Sequence, residues 1–158
     1  MRASRRTAVV FVVGLIAAGC GWSPPSSPPT TSAGCTQDDG PSADTVAAEI
    51  AKLPAAQWIE VLSGHTADCG LHWVVVTSGD ASDSPGQVLF FDRKSPIGIA
   101  TPEPRPYITV TAQGNDTAAV QYQWRQGQEP ACCPTGIATV RFRLEDGKLK
   151  ALDPIPNP

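Results

Sequence analysis

The chain has 158 residues, 41% hydrophobic and 17% charged, with twelve basic against fifteen acidic residues and a net charge of −3. This length suits one principal domain with one core. No basic stripe runs along it, which argues against nucleic acid as a partner.

The N-terminus reads as an export signal over residues 1–19. Met1, Arg2, Arg5 and Arg6 make a basic start, Ala8 to Ala18 is apolar, and Ala17-Ala18-Gly19-Cys20 closes the run. Eleven apolar residues fit the core of a signal peptide and fall short of the ~20 that span a bilayer. The small residues before Cys20 suit a lipobox, in which the cysteine is lipidated and becomes the mature N-terminus. Ala17 stands where such motifs usually carry Leu, and Ser4-Arg5-Arg6 hints at twin-arginine export. Removing the leader takes three arginines with it and leaves nine basic against fifteen acidic residues, a net charge of −6. Attachment to a membrane then falls to acyl chains such as palmitate on Cys20, not to charge.

Residues 20–34 are rich in Pro and Ser, with Trp22 the one large apolar side chain. Such a stretch cannot offset the entropy of ordering, and its prolines favour an extended tether. The domain follows over residues 35–158, its folded part running from about Cys35 to about Pro154.

Ser42 or Asp44 can cap a helix over 44–53, in which Val46, Ile50 and Leu53 share a face before Pro54 ends it. Gln57 to Ser63 is ambiguous between helix and strand, and Leu71 to Thr77 is a buried strand. Three hairpins follow. Gln87–Asp92 pairs with Ile97–Thr101, Tyr107–Ala112 with Thr117–Trp124, and Gly136–Leu144 with Lys148–Leu152, the last across Glu145-Asp146-Gly147. Val120, Tyr122 and Trp124 alternate with Gln121, Gln123 and Arg125, and Val140, Phe142 and Leu144 with Arg141 and Arg143. This period of two describes strands with one face in the core and one in water. The fold expected is α+β, a single domain with an N-terminal helix packed on an antiparallel, meander-like sheet.

Four cysteines remain after Cys20, and an even number in an exported chain predicts two disulfides. Cys132 and Cys133 are neighbours, a poor geometry for bonding to each other. Cys35 and Cys69 are therefore expected to bond each to one of that pair, in either order. A vicinal redox pair at Cys132-Cys133 is the functional alternative.

The sequence predicts no catalytic residues, no metal and no cofactor. His65, Asp68, Cys69 and His72 lie close enough to suggest metal ligands, but the disulfide count takes Cys69 out of the set. There is no G-x-S-x-G elbow. Asp80 and Asp83 read as a solvated loop and Asn115-Asp116-Thr117 as turn chemistry. Gln121, Gln123, Arg125, Arg141 and Arg143 form one polar face if their strands pair, a candidate interaction surface.

One stretch of motifs adds a family likeness. Cys35, Leu53-Pro54, Asp68-Cys69-Gly70-Leu71-His72-Trp73-Val74-Val75 and Ser84-Pro85-Gly86-Gln87-Val88-Leu89-Phe90-Phe91 open it. Ile97-Gly98-Ile99-Ala100-Thr101, Val120-Gln121-Tyr122, Thr139-Val140-Arg141-Phe142-Arg143 and Leu152-Asp153-Pro154 complete it. In their order these resemble the LppP/LprE family of actinobacterial lipoproteins. The resemblance implies an envelope protein of mycobacterial or related source, anchored at the cell surface, without an assigned reaction. The reading of function is a lipid-anchored, non-catalytic binding or structural protein on the outer face of the cell membrane, its partner an envelope protein or an apolar ligand. A carrier of lipid or another apolar ligand is the alternative, and a small envelope hydrolase or redox enzyme a further one.

Overall fold

The computed structural model describes residues 34–157. The leader, Cys20 and the tether up to residue 33 lie outside the described residues. A 3-10 turn at Gln37–Asp39 precedes helix α1 (Ala43–Ile50). Eight strands follow: β1 (Ile59–His65), β2 (Leu71–Thr77), β3 (Gly86–Asp92), β4 (Ser95–Ile99), β5 (Ile108–Gln113), β6 (Thr117–Trp124), β7 (Gly136–Glu145) and β8 (Lys148–Ala151). All belong to one compact unit. Among the described residues no helix is long and apolar enough to cross a membrane.

The α+β expectation is corrected to a mostly β fold. The strands form two antiparallel sheets of four, β1-β2-β3-β4 and β5-β6-β7-β8, and α1 has only eight residues. The hairpins predicted from sequence are present, but they do not join into one sheet. Pro102, Pro104 and Pro106 stand between β4 and β5, where missing N–H donors and fixed φ angles stop a ladder from continuing. The chain leaves the first sheet there and starts a second. Paired backbone bonds between Gly86 and Arg105, 2.9 and 2.8 Å, tie this link back to β3, together with the Ala100 N–H on the Val88 carbonyl (3.0 Å) and the Gln87 amide on the Thr101 carbonyl (2.9 Å).

Two layers of apolar side chains hold the sheets. Leu71, Trp73, Val75, Val88 and Phe90 from the first sheet meet Val110, Ala118, Val120, Tyr122, Val140 and Phe142 from the second. The Phe90 and Phe142 rings lie 5.2 Å apart across this interface. On the other face of the first sheet, Val74, Val76, Leu89 and Phe91 pack against Val46 of α1. Ile50, Leu53 and Trp58 close that layer. Burial at about 1.5–3 kcal/mol for each large apolar side chain makes these two layers the main favourable contribution to folding.

Local chemistry sets the ends of the elements. The Ser42 hydroxyl accepts from the Thr45 N–H at 3.2 Å and starts α1. Past Ile50 the bonds tighten to i→i+3, with Lys52 N–H on Glu49 and Leu53 N–H on Ile50, so regular helix stops before the expected Leu53. Between β7 and β8, Asp146 and Gly147 take φ of 50° and 71°, the left-handed pair that a two-residue hairpin turn requires.

The disulfide scheme is also corrected. Cys35 bonds to Cys69, with Cα atoms 5.5 Å apart, and not to Cys132 or Cys133. Those two sit in the β6–β7 loop with their sulfurs against each other, so neither is offered to Cys35 or Cys69. The reason is position in the fold: Cys69 lies in the β1–β2 turn, beside the segment that leads into α1. The bridge joins the start of the domain to that turn.

His72 stands on the face of the first sheet that α1 covers and is 6% exposed. Burial holds its pKa below the ordinary value of 6.5. Hydrogen bonding of Nε2 to the Cys69 carbonyl (3.2 Å) and the charge of Asp39 act the other way, while His65 and Arg93 add to the lowering. The folded state thus prefers neutral imidazole, and unfolding takes up a proton in this window. The His72 contribution to stability is complete above pH 6.5 and declines as pH falls through that value. Asp39, Glu129, Glu145 and Asp153, whose carboxyls are held down by hydrogen bonds, lose theirs only in more acidic solution.

Three measurements check these points. Mass spectrometry of the unreduced protein is expected to find a Cys35–Cys69 crosslinked peptide; linkage of Cys35 to Cys132 or Cys133 would contradict the fold. Replacing both Cys35 and Cys69 by Ser should lower stability by about 3 kcal/mol in denaturant titrations. Between roughly pH 8 and pH 5 the denaturation midpoint should fall, and His72→Gln should flatten that slope. An equal slope in the variant would remove His72 as its cause.

Candidate functional site

Strand β6 carries the chemistry of the second sheet on its two faces. Outward, β6 and β7 pair with Ala119 opposite Arg141, Gln121 opposite Thr139 and Gln123 opposite Ile137. Gln121, Gln123, Arg141 and Arg143 thus share a face, and Arg125 follows just past the end of β6. Two of the three arginines are engaged locally. Arg141 grips Asp153 through Nε and a terminal nitrogen at 2.9 and 2.8 Å, holding that carboxyl down to about 2. Arg143 pairs with Glu145 and lies 3.9 Å from Asp116, while Lys150 takes the other Glu145 oxygen at 2.6 Å. Gln123 and Arg125 instead reach the rim of a cleft.

That cleft has a volume of about 620 Å3 and opens at the end of the sandwich. Arg105 and Tyr107 from the proline-rich link, Tyr122, Gln123, Trp124 and Arg125 form half of its wall. Its wall is fixed in three ways. Tyr107 takes a φ of 57°, costly for an aromatic residue, and its hydroxyl donates to the Ala131 carbonyl at 2.7 Å. The Glu129 carboxylate accepts from the N–H groups of Gln126 (2.7 Å) and Thr135 (3.0 Å) and from the Thr135 hydroxyl. These bonds close the β6–β7 loop and hold the Glu129 carboxyl below its usual range. The Trp124 indole lies on Gly136, directly across the ladder, where any Cβ would collide with the ring.

Tyr122 is the one buried residue of the wall, 1% exposed. The Arg105 guanidinium carbon sits 5.7 Å from the centre of its ring, and Arg105 also donates to the Pro156 carbonyl at 2.5 Å. Burial pushes the Tyr122 hydroxyl up to about 12, so it stays a protonated donor. It has no hydrogen-bond partner among the described residues. A buried polar group left unpaired costs about 1–3 kcal/mol. Tyr122 thus lines the cleft while its hydroxyl, sealed from solvent, leaves a hydrogen bond unmet. Tyr122 is legible in the sequence as an inward strand position, and a tyrosine facing a core needs a partner for its hydroxyl. Arg105, between two prolines and outside every predicted element, carries no such signal, and Tyr107 reads only as the start of the strand Tyr107–Ala112.

The other residues singled out from sequence fall elsewhere. His65 and His72 are cross-strand neighbours with ring centres 5.4 Å apart. Each ring nitrogen bond goes to backbone: His65 Nδ1 to the Thr66 carbonyl (3.0 Å) and His72 Nε2 to that of Cys69. The Asp68 carboxylate accepts from the Thr66 hydroxyl (2.6 Å) and the Gly70 N–H (3.0 Å), closing the β1–β2 turn. With the Cys69 sulfur in the Cys35 bridge, this cluster is a hairpin turn. Among the described residues no three His, Cys, Asp or Glu side chains gather as a metal site would need. Asp116 sits in the β5–β6 turn and accepts from the Thr117 hydroxyl at 3.0 Å. Asp80 and Asp83 lie in the loop joining β2 to β3. Cys20 lies outside the described residues.

Known proteins place the chain. It is 51% identical over 152 residues to lipoprotein LppP of Mycobacterium bovis, an alignment covering 92% of this chain and 87% of that protein. The same figures hold for lipoprotein LppP of two strains of Mycobacterium tuberculosis. No solved structure matches the chain. The profile of the LppP/LprE lipoprotein family matches residues 63–147, from the end of β1 to the β7–β8 turn. The chain belongs to the LppP/LprE lipoprotein family.

Proposed function

We propose that this lipoprotein is held on the outer face of the cell membrane by lipid on Cys20, and that its sandwich is a non-catalytic binding domain working through the cleft beside Tyr122. The observation that carries the binding role is the buried, unpartnered Tyr122 hydroxyl in a cleft whose walls are already fixed. A ligand that moves the Arg105 side chain off the ring and accepts from this sealed phenol turns a standing penalty into a contact. The rigid wall lowers the ordering cost of binding.

Two further features support the reading. The Cys35–Cys69 bridge suits an oxidising compartment outside the cytoplasm. The carboxylate of Glu129 is committed to holding its loop, and the two histidines to backbone carbonyls, which leaves them poorly placed as a base for a nucleophile. A carrier of apolar ligands would need space between the sheets, and Phe90, Tyr122 and Phe142 fill it, each at most 2% exposed. The mature net charge of −6 fits lipid, and not attraction to anionic headgroups, as the means of attachment.

Fractionation tests the anchor. Cys20→Ala in the full chain should move the protein from the membrane fraction to the soluble one. An unchanged membrane fraction would overturn anchoring through this residue.

A further inference from the structure

We infer that the cleft is a site for a neutral saccharide. The inference rests on the binding role proposed above and names the class of ligand.

The lining selects by chemistry. Trp124 and Tyr107 offer aromatic faces, the surfaces on which the C–H faces of sugar rings stack. One side of the Trp124 indole is taken by Gly136, and the partly buried residue also lines the cleft. Around these rings stand planar hydrogen-bonding groups: the guanidinium groups of Arg105 and Arg125 and the amides of Gln123, Gln128 and Asn157. Fork-shaped donors and amides of this kind engage neighbouring hydroxyls in pairs. Tyr122 lines the cleft with the Arg105 guanidinium beside its ring, and a shift of that side chain opens its sealed, unpaired phenol to an oxygen acceptor. A hydroxyl or ring oxygen of a sugar meets that need.

Charge separates this class from others. Arg105 and Arg125 are balanced by Glu103 and Glu129 in the same wall, so the site holds no excess charge to draw a phosphate or a carboxylate. An apolar chain would strip water from at least five polar side chains without replacing their hydrogen bonds. A volume of about 620 Å3 lies within the range of small-ligand sites. The wall held by Tyr107 to Ala131 and by Glu129 to Thr135 keeps the aromatic platform in place before a ligand arrives.

The test uses the full chain, purified in a detergent without a sugar headgroup, against neutral gluco-, manno-, galacto-, arabino- and N-acetylglucosamine oligosaccharides. Titration calorimetry is expected to show binding to at least one series. Trp124→Ala should weaken it tenfold or more. Tyr122→Phe should weaken it severalfold while leaving the melting temperature equal or higher, since the variant loses a hydroxyl that is unpaired in the free protein. That split is what a merely structural tyrosine would not give. Absence of binding to every series, or binding unchanged in both variants, overturns the saccharide site. Binding of inorganic phosphate in place of every oligosaccharide overturns it too. Retention of envelope material that depends on Trp124, with no oligosaccharide bound, overturns the ligand class alone. Loss of both overturns the binding role with it.

Discussion

The two central strands of the first sheet, β2 and β3, are buried on both faces, and the rest of the molecule is arranged to cover them. Every residue from Leu71 to Val76 and from Gly86 to Phe91 is buried. A strand in that state cannot lie at a surface, so two covers are needed. Helix α1 supplies one through Val46, with Ile50 and Leu53 beside it. It is too short to supply more, and the second sheet provides the other. The split into two sheets is thus the solution to a burial problem set by β2 and β3.

The second sheet meets a weaker demand, because only its inner face is covered. Its outer face keeps the alternation of polar residues, and there Arg141 and Arg143 are tied to Asp153 and Glu145. Such exposed pairs add little stability and serve mainly to fix the geometry of β7 and the segment after β8. At the end of the sandwich β6 brings Tyr122 and Trp124 to the edge of the common core. The proline-rich link and the β6–β7 loop close around them. The cleft arises where the cover runs out. Among the described residues it holds one of two buried side-chain donors left unmet, the Tyr122 hydroxyl, the other being Trp73 Nε1 in the first sheet.

Turns link the two sheets away from the core. The Asp68 N–H donates to the Asn115 carbonyl at 3.0 Å, joining the β1–β2 turn to the β5–β6 turn. The Cys35–Cys69 bridge fastens the start of the domain to the same corner. His65, Asp68, Cys69 and His72 gather in sequence because a tight turn places them there. Their polar atoms satisfy the turn and the backbone. What resembles a set of metal ligands along the chain is capping chemistry in the fold.

The amino-acid sequence by itself determined the strands, because a period of two and the turn residues between runs are local properties. Leu71–Thr77 and Thr117–Trp124 have the bounds their residues predict, and Asp146-Gly147 makes the expected turn. It also carried the family likeness and the shared face of Gln121, Gln123, Arg141 and Arg143. Tertiary structure alone decided how the hairpins divide between two sheets. A strand buried on both faces has the same local pattern whether a helix or another sheet lies over it. The partner of Cys35 was decided in the same way, since pairing depends on which turns meet in space. The cleft was legible only in part: Arg105, Tyr122 and Asn157 are far apart in the chain, and only folding brings them to one wall.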